Sequence, residues 1–241
     1  MKVRFDATGE VVVITGGAQG IGAALAAAVN AAGGTAVVFD VTKPAGAFEY
    51  VEVDVADRGS VERAVAGVLE RHGRIDGLVA GAAVQPRSPV LEMDAAEWTR
   101  TLQVNLDGVV WACQAVVPHM VARQSGSVVV FTSGMAATGF AGAAAYAASK
   151  AALVAFAKTL AVEVADDRVR VNVVAPGVID TEQFRGANAG ADREHWQDTI
   201  GIGDPEDVVG PLLFLLSDAA AMTGSLLTRE RAFAKLTSFV E

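Results

Sequence analysis

Short runs of β-branched and aliphatic residues alternate with longer stretches of helical spacing along nearly the whole chain. Residues 11–15, 35–40, 49–54, 77–80, 126–132 and 168–175 read as strands, with 226–227 as a final edge strand. Between the first two strands, 20–32 reads as an alanine-rich helix. Gly33-Gly34 ends it, because glycine tolerates the left-handed backbone of a helix C-cap. Residues 60–72 set Val61, Ala64, Val65 and Val68 at helical spacing. Residues 97–123 predict one long helix that Pro118 kinks or breaks, and helices over 146–165 and 206–216 follow. Over 181–203 the pattern loosens. Such alternation builds an α/β fold, a parallel sheet with helices on both faces. No internal repeat and no linker rich in Pro or Ser divides the chain, so a single domain is expected over 1–241.

Composition agrees with a packed fold: of 241 residues 52% are hydrophobic and 20% charged, which argues against disorder. The net charge of −9, with no compensating basic run, disfavours nucleic acid and anionic lipid as partners. One cysteine, Cys113, can form no internal disulfide, and residues 1–9 carry charges rather than an apolar signal core. The apolar stretch 140–165 is interrupted by Lys150, Lys158 and Glu163, which argues against a membrane span. A cytoplasmic protein is expected.

The first candidate chemistry is Thr15-Gly16-Gly17-Ala18-Gln19-Gly20-Ile21-Gly22, between the first strand and the first helix. Glycines there let backbone approach a pyrophosphate, and the open N–H groups of a helix start favour negative charge. A glycine cluster alone also suits an ordinary turn; its place between strand and helix favours the dinucleotide. Asp40 closes the second strand, 18 residues after Gly22. A carboxylate there accepts hydrogen bonds from both adenine-ribose hydroxyls and repels a 2′-phosphate. Val41-Thr42 and Gln19 add no positive charge, and Lys43 beside Asp40 does not cancel the repulsion, so NAD is expected over NADP. The competing reading of Asp40 is an exposed carboxylate at a strand end.

Tyr146 and Lys150 stand four apart near a helix start, on one face. A phenol near pKa ~10 is a poor base at neutral pH. An ammonium roughly 4 Å away offers on the order of 4 kcal/mol at an effective dielectric of about 20, enough for roughly two to three pKa units. Tyr146 would then approach the range of a general acid–base. Ser133 ends a strand, where parallel sheets bind ligands, and can hydrogen-bond a reacting oxygen; its alternative is a turn serine.

Taken in order, the 15–22 loop, Asp54-Val55, Asn105, Ser133, Tyr146-Ala147-Ala148-Ser149-Lys150 and 172–181 (NVVAPGVIDT) make the chain resemble the short-chain dehydrogenase/reductase family, in its compact form. The resemblance covers about the first four-fifths of the sequence. It implies a Rossmann-type doubly wound sheet of about seven strands in the order 3-2-1-4-5-6-7. It also implies roles. Tyr146 exchanges a proton with the substrate oxygen while hydride moves to or from nicotinamide. Lys150 lowers the Tyr146 pKa and holds the nicotinamide ribose, Ser133 orients the substrate oxygen, and Asn105 holds a water linking Lys150 to solvent. Cofactor contacts are implied for Gly16, Gln19, Gly20, Ile21, Gly22 and Asp40, for Asp54 and Val55 at adenine, and for Ala80 and Gly81. Pro176, Gly177, Val178 and Thr181 complete that set, the last two at the carboxamide.

Two segments depart from the family pattern. Ala80-Gly81-Ala82-Ala83 stands where Asn-Asn-Ala-Gly is usual, and Ala83 would be strained if its position needs φ > 0. The usual Val-Asp-Gly-Gly ending is replaced by Thr228-Arg229-Glu230-Arg231 and a mixed tail through 241. The tail 229–241 is read, in order, as covering a neighbouring subunit, covering its own pocket, or fraying.

Residues 181–203 are expected to form a substrate lid, offering Phe184, His195 and Trp196 with a hinge at 188–190. Met135, Phe140, Val84 and Gln85 are expected to complete a pocket for a fairly apolar alcohol. Only Arg185, Arg193 and Arg87 are basic candidates there. No His spacing suggests a metal. Small and apolar residues on more than one face of the 146–163 helix, with the resemblance, point to a homotetramer, or a dimer given the altered tail. Two other functions stay open: a non-catalytic NAD-binding regulator, and an epimerase or dehydratase on the same fold.

Overall fold

The computed structural model describes residues 4–190 and 193–229. Seven parallel strands form one sheet in the order β3-β2-β1-β4-β5-β6-β7. In chain order they are β1 (Val11–Thr15), β2 (Thr35–Asp40), β3 (Glu49–Glu52), β4 (Gly77–Ala80), β5 (Gly126–Phe131), β6 (Val169–Ala175) and β7 (Leu226–Thr228). Every β1, β4 and β5 residue is buried, because helices cover a parallel sheet on both faces. Side chains alternate between two cores with the period of two that a strand imposes. Val11, Val13, Val128 and Val130 pack on one face with α2 (Arg58–His72), α4 (Gly108–Arg123) and α6 (Ala144–Glu163). Val12, Ile14, Val129 and Phe131 pack on the other with α1 (Gly20–Ala31) and α9 (Glu206–Leu216).

Helix boundaries differ from expectation where a capping side chain decides them. Asp57 accepts a hydrogen bond from the Gly59 N–H at 2.9 Å, so α2 begins at Arg58. Asp94 does the same for Ala96, so α3 (Ala95–Leu102) begins earlier than 97. The expected long helix runs unbroken from Ala95 to Arg123 and widens to a π-helical turn at Gln103–Asp107, and Pro118 lies exposed inside α4 without breaking it. The loosened stretch contains two short helices, α7 (Glu182–Ala187) and α8 (Arg193–Thr199), and another, α5 (Met135–Thr138), follows β5. The side chain of His195 and the tail beyond Arg229 lie outside the described residues.

By length and composition alone α6 is apolar enough to cross a membrane. It lies instead against β6, α3 and the π turn, with Ser149, Lys150, Leu153, Ala157 and Ala161 buried. The Thr132 hydroxyl donates to the Lys150 carbonyl at 2.7 Å and so fixes the rotation of α6 at the end of β5.

Candidate active site

The carboxyl ends of the strands open into a cleft of about 1190 Å³. One end is built on the glycine loop. Gly16 has φ +69°, and a Cβ there would stand 2.7 Å from Ala82 backbone atoms, so only glycine lets the two segments meet. Thr15 Oγ1 accepts from the Gly81 and Ala82 N–H groups at 3.1 and 3.2 Å, which draws the end of β4 against that of β1. Helix α1 starts at Gly20 with no side-chain cap from Gln19, leaving its first N–H groups open to an anion. Gly16, Gln19, Gly20, Ile21 and Gly22 all line the cleft.

Asp40 lies at the end of β2, in the cleft wall, and its two oxygens accept from the Ala18 and Thr42 N–H groups, each at 3.0 Å. The carboxylate thus shapes the glycine loop and keeps further lone pairs for hydroxyl donors. Lys43 is exposed and stands outside the lining. Asp54 and Val55 also line this end, with Asp54 paired to Arg100 at 3.0 Å. Arg100 comes from α3, and no spacing in the sequence connects it to Asp54.

Ala80 departs from its expected place: its side chain is buried in the core beneath β4, and Gly81, Ala82 and Ala83 form the wall. Ala83 is not strained, since among the described non-glycine residues only Gln124 and Arg168 have positive φ. Its carbonyl accepts from Gln183 Nε2 at 3.0 Å, which ties α7 to the cleft. Pro176, Gly177, Val178 and Thr181 line the same wall. Thr181 Oγ1 caps α7 by accepting from the Phe184 N–H at 3.1 Å, and its methyl packs on Gly20.

At the other end Ser133, Tyr146 and Lys150 converge. Lys150 is 3% exposed; its Nζ donates to the Phe131 carbonyl at 3.0 Å and lies 5.7 Å from the centroid of the Tyr146 ring. Burial pulls the Lys150 ammonium down to about 8. The expected lowering of Tyr146 by Lys150 is not what the protein's own groups produce. Burial raises the phenol, and the opposing influences are a hydrogen bond with Ser133 and the charge of Arg87.

Asn105 is fully buried in the π turn. Its Oδ1 accepts from the Val84 N–H at 2.8 Å, and its Nδ2 donates to the Val84 carbonyl at 2.9 Å and to Ser149 Oγ at 3.2 Å. Both its N–H bonds are therefore spent, and one acceptor lone pair is left for a water. The Ser149 hydroxyl in turn donates to the Tyr146 carbonyl at 2.7 Å.

Beyond Tyr146 the walls are Val84, Gln85, Met135, Phe140, Phe184 and Trp196, all within the cleft lining. Trp196 meets Phe140 edge-on at 6.1 Å and Phe184 at 5.3 Å between ring centroids. Sequence reasoning did not assign Gln183, Ile200 or Arg229, which also line the cleft. Among the described residues, no group of three or more His, Cys, Asp or Glu side chains is placed to hold a metal.

The described residues suit a dinucleotide, with an open helix start, a close backbone crossing at Gly16 and a carboxylate at the β2 end. Comparison with known proteins agrees. The family model for short chain dehydrogenase matches residues 10–192. The chain is 34% identical to a 3-oxoacyl-[acyl-carrier-protein] reductase of Chlamydia pneumoniae over 91% of its own length and 94% of that protein's. It is 36% identical to the D-threitol dehydrogenase of Mycolicibacterium smegmatis, over 92% of each. A solved Beutenbergia cavernae protein, described as an NAD(P)-dependent gluconate 5-dehydrogenase and holding NADP, superposes with TM-score 0.86 at 32% identity, covering 95% of this chain and 98% of that one. By motif order, site geometry and these matches, the chain belongs to the short-chain dehydrogenase family.

Proposed function

We propose that the chain interconverts a secondary alcohol and a ketone, with NAD as redox partner, on a small and mainly apolar substrate. The observation that carries this reading is the convergence of Ser133, Tyr146 and Lys150 in one cleft with the glycine loop and Asp40. The family uses a nicotinamide cofactor, which when bound supplies the hydride acceptor for oxidation and the donor for reduction. Tyr146 takes the hydroxyl proton as the carbinol C–H bond breaks and the C=O bond forms, and returns it in the reverse direction. Ser133 orients the reacting oxygen and Lys150 holds the nicotinamide ribose. Asn105 positions Val84 at the pocket and, through Ser149, the first turn of α6. The described residues of 181–203 serve as the lid, and the aromatic walls favour an apolar body. The activities of the two relatives, a reductase and a dehydrogenase, support redox chemistry over epimerisation or dehydration. The test is NADH formation by the purified protein across a panel of secondary alcohols, and the absence of turnover across the panel would refute the reading.

The preference for NAD rests on Asp40, whose carboxylate repels a 2′-phosphate, and on Arg100 being engaged by Asp54. Asp40→Asn keeps the shape and removes the charge. It is expected to shrink the NAD-over-NADP ratio of kcat/KM by at least about tenfold. An unchanged ratio, or NADP preferred by the unaltered protein, would contradict the assignment.

We further propose a homotetramer, with a dimer as fallback, in the cytoplasm. Ala148, Ala151, Ala155 and Val162 are exposed along one side of α6, with Val162 80% exposed and only Lys158 and Thr159 polar among the exposed residues between them, and such a face suits two-fold pairing. Light scattering on the eluting protein should give four, or two, chain masses; a monomer would overturn the proposal.

A further inference from the structure

We propose that the substrate carries, besides its alcohol or ketone, a carboxylate-like anionic group received by Arg87 and Gln85 in the place taken here by the Met135 sulfur. This rests on the alcohol–ketone reading of the same cleft. The segment holding Arg87 is pinned to the approach of α6 by the Ser88 N–H, which donates to the Gly142 carbonyl at 2.9 Å. The guanidinium lies 4.8 Å above the Phe140 ring. One Nη donates to Asn188 Oδ1 at 3.1 Å, and the other is 3.8 Å from Met135 Sδ. Gln85 Nε2 aims at the same sulfur from 3.9 Å. Two good donors thus converge on a thioether, among the weakest acceptors a protein has. The Arg87 Nε is buried with no hydrogen-bond partner among the described residues.

Charge accounting separates Arg87 from the other arginines around the pocket. Arg185 and Arg193 both pair with Asp180, Arg229 pairs with Asp207, and Arg100 with Asp54. No carboxylate among the described residues pairs with Arg87, in a chain whose net charge is −9. A partly buried guanidinium without a counter-ion is costly, and an arriving anion would relieve that cost. Burial lowers the Arg87 pKa, and Tyr146 is the group whose charge opposes this, so the guanidinium sits within electrostatic reach of the phenol. The carboxylates in the cleft lining, Asp40 and Asp54, stand at the opposite end. An anionic substrate would therefore be oriented with its charge toward Arg87 and its body against Phe140, Phe184 and Trp196. Met135 is unbranched and flexible, so it can yield its place. A planar carboxylate then gains the two-point pairing that guanidinium geometry favours.

The test is calorimetric titration of the protein, loaded with whichever reduced cofactor it binds, with benzoate and with its neutral isostere benzamide. Benzoate is expected to bind at least about tenfold more tightly, as a charge-assisted pair requires. That advantage should fall below about threefold in Arg87→Met and survive in part in Arg87→Lys. Equal or weaker binding of benzoate, or none, overturns the proposal, as does a full advantage retained in Arg87→Met. If that variant does not fold, the comparison of the two ligands on the unaltered protein and on Arg87→Lys still decides. No turnover is read, so a protein that oxidises alcohols but ignores benzoate defeats this inference alone. One that selects benzoate but oxidises no alcohol defeats the dehydrogenase reading alone.

Discussion

Tyr146→Phe is expected to lower turnover by about a thousandfold while changing the cofactor dissociation constant by no more than about threefold. The substitution removes one hydroxyl and leaves the ring that packs near Lys150. What is lost is the proton carrier, an effect confined to the transition state, so kcat should fall and binding should not. The direction of the Tyr146 shift adds a pH signature. Burial holds the phenol in its protonated form beyond the usual range, with Ser133 and Arg87 working against this. The protonated phenol is the acid that ketone reduction needs, so reduction should be sustained at neutral pH. Oxidation needs the phenolate and should climb as pH rises. Steady-state rates in both directions over a pH series, with cofactor binding followed by fluorescence, check both parts. Loss of cofactor binding in step with turnover would show Tyr146 to be structural.

Lys150→Met is expected to abolish most turnover and yet make the protein more stable at neutral pH. The ammonium is buried and its pKa is pulled to about 8, against an ordinary value of 10.5. The sign follows from linkage: the unfolded chain binds this proton more tightly than the folded one. Below pH 8 the folded state therefore carries the full cost of a buried charge. That cost is relieved as pH rises from about 8 toward 10.5, where the lysine is neutral in the fold. The shift corresponds to about 3 kcal/mol, which the hydrogen bond to the Phe131 carbonyl does not remove, although losing that bond costs the variant about 1 kcal/mol. Methionine has similar length and no charge, so a net gain of about 1–2 kcal/mol is expected at pH 7, shrinking as pH rises from about 8 toward 10.5. Urea unfolding of both proteins across that range measures it. A variant less stable at pH 7, or a gap indifferent to pH, would contradict the assignment of a strained catalytic lysine.

Much of this site is legible in the sequence, and the reason is local. The glycine loop, Asp40, and the Tyr146–Lys150 spacing are short-range patterns that dictate backbone path or a shared helix face. Central strands show as apolar runs because both faces are covered, and the two interleaved cores confirm that period. What failed to show depends on contacts across the chain. Asp57 and Asp94 as caps were local signals that a hydrophobic count overlooks. The π turn around Asn105 arises where Val84 and Ser149 claim its carboxamide, a pairing that no spacing announces. Arg100 meets Asp54, and Arg87 meets Phe140 and Met135, only once the sheet brings their loops together. The direction of the Tyr146 shift is hidden for the same reason: the sequence places the phenol beside the lysine but does not show how deeply the phenol itself is buried.

The claim on which the rest depends is that hydride passes between a carbinol carbon and nicotinamide beside Tyr146. A secondary alcohol active in the panel, deuterated at its carbinol carbon and incubated with NAD and the protein, tests it directly by mass spectrometry of the cofactor. Reduced cofactor one mass unit heavier, formed in step with ketone, is the expected result. Alcohol consumed while the cofactor stays oxidised, or reduced cofactor that carries no deuterium, would contradict the account.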